Sequence, residues 1–302
     1  MRNHRSITLI LGFLLTASVS ACAGSRTSTP GTSISAPPIA FIQDTNDVYL
    51  LYSNSTSHYV TTGQGVSWAP GYRDLLVQKV VYSNPPSAEI WLVSTNGQPI
   101  RQVTSVYPDQ VRFFAAGKYG STPFIAYDTL KKGIQLRNLL TGARRTIAAN
   151  VTVDSLAISP DGTRIAFVED PLQNSVPITL YVTGTYKQSP LKAVLPASEY
   201  RTISDPTWSP DGQWLAATIT VIKGAAEPLV TAVWLMHPDG TDLHMLTMGS
   251  DPQWSPDGQW ISYIGESGVS DALFKIHPDG TGRIQLTPYA ASGADQASQP
   301  SW

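Results

Sequence analysis

Four aspartates hold the strongest claim to chemistry in this sequence. Asp109, Asp154, Asp205 and Asp251 each precede a recurrent aromatic or aliphatic position, by four residues in the first two and by three in the others. Gly65 and Gln299 take that place in the remaining repeats. Carboxylates at one recurrent position converge when the repeats stand around a common axis. Such a ring makes a negative mouth suited to a cation or a basic peptide segment. Asp before Pro, as in Asp205-Pro206 and Asp251-Pro252, also suits a local role, bonding to the backbone as a strand begins.

Other chemistry is sparse. Gly65-Val66-Ser67-Trp68-Ala69 comes nearest to a nucleophile elbow and fails at its last position. No His-Glu-x-x-His and no Gly-rich phosphate loop occur, and neither a metal nor another cofactor is expected. His237 and His277 occupy equivalent places in two repeats and read as turn residues. His58 and His244 have no motif partner. Trp68, Trp208, Trp254 and Trp302 could stack sugars, but their shared repeat position reads as packing between repeats, with Trp91 and Trp234 in a similar role. Lys131, Lys132, Arg137, Arg144 and Arg145 make one repeat locally basic, which suits a solvated outer surface or an anionic contact.

The elements that must position these residues follow from one repeated stretch. Asp205-Pro206-Thr207-Trp208-Ser209-Pro210-Asp211-Gly212-Gln213-Trp214 recurs almost unchanged from Asp251 to Trp260, and Ile158-Ser159-Pro160-Asp161-Gly162 is a third copy. A short apolar run stops at Ser-Pro-Asp-Gly and a second follows. Pro presets the first turn position, Asp bonds to the backbone ahead and Gly accepts positive φ, so each copy predicts a β-hairpin. The residue before the turn marks the register: Trp68, Phe113, Ile158, Trp208, Trp254 and Trp302 follow one another every 45 to 50 residues. A second hairpin, clearest at His237-Pro238-Asp239-Gly240 and His277-Pro278-Asp279-Gly280, and a terminal strand complete each period. Four strands per period predict an all-β fold, a six-bladed β-propeller of four-stranded antiparallel blades. The segments Ile39–Ile42, Val48–Leu51 and His58–Thr61 read as the last three strands of a blade. Gln299–Trp302 reads as its missing first strand, so the C-terminal strand is expected to pair with the N-terminal blade and close the ring. The turns after strands one and three are short and repetitive, whereas the opposite loops are irregular, and the irregular end is the expected binding end.

The 302 residues carry a formal net charge of -2 and only 14% charged residues, which excludes a basic nucleic-acid-binding field. Arg2 and Arg5 precede the apolar run Ile7–Val19 and the small residues Ser20-Ala21, the pattern of a secretory signal over residues 1–21. The single cysteine, Cys22, follows at once and cannot form an internal disulfide. Val19-Ser20-Ala21-Cys22 resembles the bacterial lipobox, which implies a lipidated Cys22. Residues 22–38, rich in Ser, Thr and Pro, read as a tether, and residues 39–302 as the propeller.

Trp-Ser-Pro-Asp-Gly-Gln-Trp, His-Pro-Asp-Gly-Thr and the Gln-Leu-Thr-like strand ends resemble the TolB-type, WD40-like propeller repeat over residues 39–302, most sharply from residue 152 onward. The resemblance implies a monomeric, non-catalytic scaffold that receives an envelope protein or peptide segment at its channel, here held at the membrane through Cys22 and facing the periplasm or cell exterior. TolB proteins carry an α/β domain ahead of the propeller, where this sequence has only the tether. Prolyl oligopeptidase-type enzymes carry similar propellers. The rival expectation is a hydrolase or lactonase-like propeller enzyme using channel-mouth carboxylates or a divalent cation.

Overall fold

A computed structural model describes residues 38–43, 46–52, 56–70, 73–81, 87–106, 111–129, 133–169, 179–185, 192–195, 200–221, 229–267 and 270–286. The expected leader, Cys22, the expected tether up to residue 37, Asp109 and the expected closing strand 299–302 lie outside these residues.

Among the described residues twenty-three strands form six antiparallel sheets. The first sheet has three strands, β1 (Ile39–Gln43), β2 (Asp47–Leu51) and β3 (Ser57–Thr62). Blade one is β4 (Gly65–Trp68), β5 (Asp74–Val81), β6 (Ser87–Ser94) and β7 (Pro99–Val106). Blade two is β8 (Val111–Tyr119), β9 (Thr122–Thr129), β10 (Gly133–Asn138) and β11 (Arg144–Ala148). Blade three is β12 (Val153–Ile158), β13 (Arg164–Glu169), β14 (Thr179–Gly184) and β15 (Lys192–Leu195). Blade four is β16 (Tyr200–Trp208), β17 (Leu215–Val221), β18 (Val230–Met236) and β19 (His244–Met248). Blade five is β20 (Ser250–Trp254), β21 (Ile261–Ser267), β22 (Ser270–Ile276) and β23 (Ile284–Gln285). Strands within each blade pair in chain order. The structure thus shows five complete blades where six were expected, with three strands of the sixth. β1 packs beside β4 as β13 packs beside β16 and β17 beside β20, which is the place of a second strand in its sheet.

Burial explains the strand order. The second strands are covered by sheets on both faces and are apolar almost throughout, as in Leu215-Ala216-Ala217 and Ile165-Ala166-Phe167-Val168, all fully buried. Fourth strands such as β11 and β23 are polar and largely exposed. The cores lie between consecutive sheets. One unites Ala166 and Leu180 of blade three with Trp208, Leu215 and Met236 of blade four. The next unites Ala216 and Val233 with Trp254, Ile261 and Phe274. Another joins Val48 and Leu50 of the first sheet to Trp68 and Leu75 of blade one, and to Ile264 and Leu273 of blade five. The first sheet therefore lies between blades one and five, and the ring of sheets is continuous. The tryptophans are packing residues: Trp68, Trp208 and Trp254 are buried, and Trp208 Nε1 donates to the Ala157 carbonyl of the preceding inner strand at 3.3 Å.

The Ser-Pro-Asp-Gly turn repeats in atomic detail. In blade four the Ser209 hydroxyl donates to Asp211 Oδ1 (2.5 Å) and accepts from the Trp214 amide (2.9 Å), while the Gln213 amide donates to the same Asp211 oxygen (3.0 Å). Ser159-Asp161 and Ser255-Asp257 form the same bonds. Gly212 closes its turn at φ 68°, in the left-handed region that costs glycine little.

One register expectation is corrected. Each marker pairs with the first core residue of the second strand, as Trp208 does with Leu215 and Ile158 with Ile165. The Asn138 amide bonds to the Ala143 carbonyl as that of His237 bonds to Thr241. Arg137 therefore corresponds to Met236, Ile125 to Leu215 and Ala116 to Trp208. The marker of blade two is Ala116, not Phe113. The space toward blade one is filled there by Phe114 and Tyr127, which pack with Leu76 and Ile90; on the other side Gly117 approaches Ile158 of the next inner strand so closely that an added Cβ would lie 2.6 Å from Ile158 Cγ2.

Candidate functional site

The inner strands β4, β8, β12, β16 and β20 stand side by side in sequence. Their ends are unlike. The ends that carry the markers lead into the regular turns; the other ends are irregular, and the three described aspartates lie on that side, three or four residues before the markers.

Each of the three sits in a break of the ladder. Pairing skips from Val153 to Ser155 around Asp154, from Ser204 to Thr207 around Asp205, and from Ser250 to Gln253 around Asp251. Such bulges bend a strand and re-aim a side chain, and they concentrate near functional sites. Asp205 and Asp251 adopt positive φ, 51° and 56°, a conformation that aspartate tolerates better than most residues. Local bonds hold it. Ser204 Oγ donates to Asp205 Oδ2 and Ser250 Oγ to Asp251 Oδ2, both at 2.7 Å. The backbone is tied to the preceding blade: the Asp205 amide donates to Ser155 Oγ of β12 (3.1 Å) and the Asp251 amide to Thr218 Oγ1 of β17 (2.9 Å). Asp251 is buried, while Asp154 and Asp205 are half-buried.

Asp154 and Asp205 are not strict equivalents. Ser155, three residues before its marker, matches Asp205, and Asp154 is the extra residue of its bulge. By the corrected register, Phe113 takes this place in blade two. Asp109 lies outside the described residues. Among the described residues no group of three or more His, Cys, Asp or Glu side chains is arranged to hold a metal ion.

Sequence reasoning missed the hydroxyls that complete this end. The signal was present as Ser204-Asp205-Pro206 and Ser250-Asp251-Pro252, in which serine repeats along with the Asp-Pro pair. A buried polar lining continues along the inner strands, where Thr207 Oγ1 donates to Gln253 Oε1 of the next blade at 3.4 Å.

At the opposite end the histidines join the two hairpins of a blade. His237 stacks on Trp214 with ring centroids 4.1 Å apart and His277 on Trp260 at 3.7 Å. Their Nδ1 atoms donate to the Gln213 and Gln259 carbonyls at 2.9 and 2.8 Å. They are turn residues, as their repetition implied, and their partners are the tryptophans of the repeated Gln-Trp pair.

Residues 141–236 match a family model described as the lipoprotein LpqB beta-propeller domain. No curated protein matches the chain in sequence. Among solved structures, TolB from Acinetobacter baumannii is similar with a TM-score of 0.64 and 16% identity, over 87% of this chain and 66% of that one. A TolB-type protein of Agrobacterium tumefaciens gives 0.63 and 15%, over 85% of this chain and 94% of that one. The acylaminoacyl peptidase of Pyrococcus horikoshii gives 0.55 and 15%, over 84% of this chain but 44% of the peptidase. Repeats, sheet order and these likenesses agree: the chain folds as a TolB-like β-propeller of four-stranded antiparallel blades.

Proposed function

We propose that this chain is an exported propeller, anchored at the cell envelope through a lipidated Cys22, that binds a protein or peptide segment at the bulged end of its inner strands without catalysis. The observation that carries the reading is the row of bulges in β12, β16 and β20, each placing an aspartate three or four residues before the marker of its strand. A rigid scaffold that presents carboxylates on irregular segments is suited to a basic or polar segment of a partner. The TolB-like fold and the partial LpqB match support a scaffold role and an envelope location, and Val19-Ser20-Ala21-Cys22 supports the anchor.

The test is the pair Asp205→Asn and Asp251→Asn, made together. Asn keeps the shape and tolerates the same backbone conformation, but it removes the charge. The full chain, crosslinked in intact cells and purified from membranes, should lose its protein partner in the double variant with the melting temperature unchanged. A lower melting temperature with the partner retained would mean that the aspartates only shape the bulges.

A further inference from the structure

The other end of blade two carries a feature that the proposed binding end does not use. Arg137 on β10 lies directly opposite Arg144 on β11, and like charges facing each other across a strand pair destabilise a sheet. Arg101 of blade one reaches across the blade boundary, its Nη2 donating to the Leu139 carbonyl at 2.9 Å. Three guanidinium groups from three strands thus gather at one turn. Burial lowers the Arg137 pKa, and the charges of Arg144 and Arg101 lower it further, while Tyr127 acts the other way.

The turn beneath this cluster is rigid and apolar at its tip. Asn138 Oδ1 accepts from the Leu140 and Thr141 amides at 2.8 and 2.9 Å, which holds Leu140 outward with 72% of its surface exposed. The Leu139 amide donates to the Pro123 carbonyl, so the β8–β9 turn stands at the same end. That turn presents exposed Lys118 and Tyr119. Arginines beside an exposed leucine and tyrosine match the chemistry of a bilayer interface, where basic groups meet phosphates and apolar side chains enter the headgroup region.

We propose that the turn end of blades one and two docks on anionic phospholipid, with Arg101, Arg137 and Arg144 on headgroup phosphates and Leu140 and Tyr119 at the interface. The choice of a bilayer over a free anion rests on the anchored reading: β1 holds the place of a second strand and so begins, at Ile39, at this same regular-turn end, where a tether from Cys22 would enter. The contact itself needs no acyl chain, so it can be tested apart from the anchor and apart from partner binding.

The experiment is co-sedimentation of the full chain carrying Cys22→Ala with vesicles of phosphatidylcholine, alone or doped with phosphatidylglycerol. The chain should sediment only with the doped vesicles and be released by salt. Arg137→Gln with Arg144→Gln should weaken binding at least about tenfold, Leu140→Asp should weaken it further, and Lys79→Gln, at the other end of its blade, should leave it unchanged. Arg144 is exposed, so Arg144→Gln alone gives a reading if the double variant does not fold. Equal sedimentation of the parent and arginine variants overturns the proposal, as does salt-insensitive binding to phosphatidylcholine alone. Binding of inorganic phosphate with the same arginine dependence, without vesicle binding, would assign a free-anion site and overturn membrane docking.

Discussion

Blades four and five and blade two solve the same packing problem with different residues. In the late blades a buried tryptophan ends the inner strand and fills the gap to the preceding sheet, and a Ser-Asp pair locks the turn behind it. In blade two the marker place holds Ala116, the strand runs on to Tyr119, and the space toward blade one is filled by Phe114 and Tyr127 instead. Four strands in the same order result from both. The repeat motif is therefore one way of filling the space between sheets, and a small marker flanked by aromatics on neighbouring positions is another. The two solutions should fail differently.

The largest effect is expected where the filler is large. Trp208→Ala removes a buried indole from the core between blades three and four and should cost ~3–5 kcal/mol, read as a lower urea midpoint. Phe113→Ala, at the aromatic that does not hold the marker place, should cost clearly less.

Blade two should instead be sensitive to addition. Gly117→Ala places a methyl against Ile158 and should cost ~1–3 kcal/mol by overpacking. Ile158→Ala removes the opposing atoms, so the double variant should be more stable than the sum of the single losses predicts. Additive losses in the double-mutant cycle would mean that the two side chains do not meet.

A smaller effect separates the turns. Ser209→Ala removes a hydroxyl that donates to Asp211 and accepts from Trp214, leaves both groups without it, and should cost ~1–2 kcal/mol in the thermal midpoint. In blade one the corresponding turn reads Ala69-Pro70-Gly71, and no comparable loss is available there.

The smallest expected effect is on acid stability. Burial alone would raise the Asp211 pKa, but the Ser209 hydroxyl and the Gln213 amide outweigh it and hold the carboxyl below its usual range. A depressed folded pKa stabilises above the unfolded value, and that contribution disappears as pH falls through the folded one. Asp211→Asn should therefore lower stability slightly near neutrality and converge with the parent as pH falls below about 4, which flattens the acid limb. An unaltered acid limb would show that the turn bonds do not favour the ionised form.

The propeller was legible because its turns and second strands obey local rules. Pro-Asp-Gly sets a hairpin whatever surrounds it, and an apolar run such as Leu215-Ala216-Ala217 is required of a strand covered on both faces. The register of blade two was not legible, because Phe113 mimics a marker that Ala116 fills, and a glycine approach leaves no trace in hydrophobic spacing. The candidate site was legible in part. Asp205 and Asp251 stood out before proline, but the bulges depend on how β16 and β20 pair with their neighbours. The amide bonds to Ser155 and Thr218 cross between blades over 50 and 33 residues of chain. The arginine cluster was half visible: Arg137 and Arg144 lie close in sequence, whereas Arg101 joins them only through the packing of two blades.

The account makes the two ends of the ring different in kind, one for a protein segment and one for a surface. The most direct measurement is site-specific photo-crosslinking in intact cells, with the photoreactive residue at the exposed Thr202, near the start of β16, or at the exposed Gln213, in the turn beyond its end. A discrete protein adduct from position 202, absent from position 213, is the predicted result. Protein adducts from position 213 with none from 202 would contradict it and move the binding face to the regular turns.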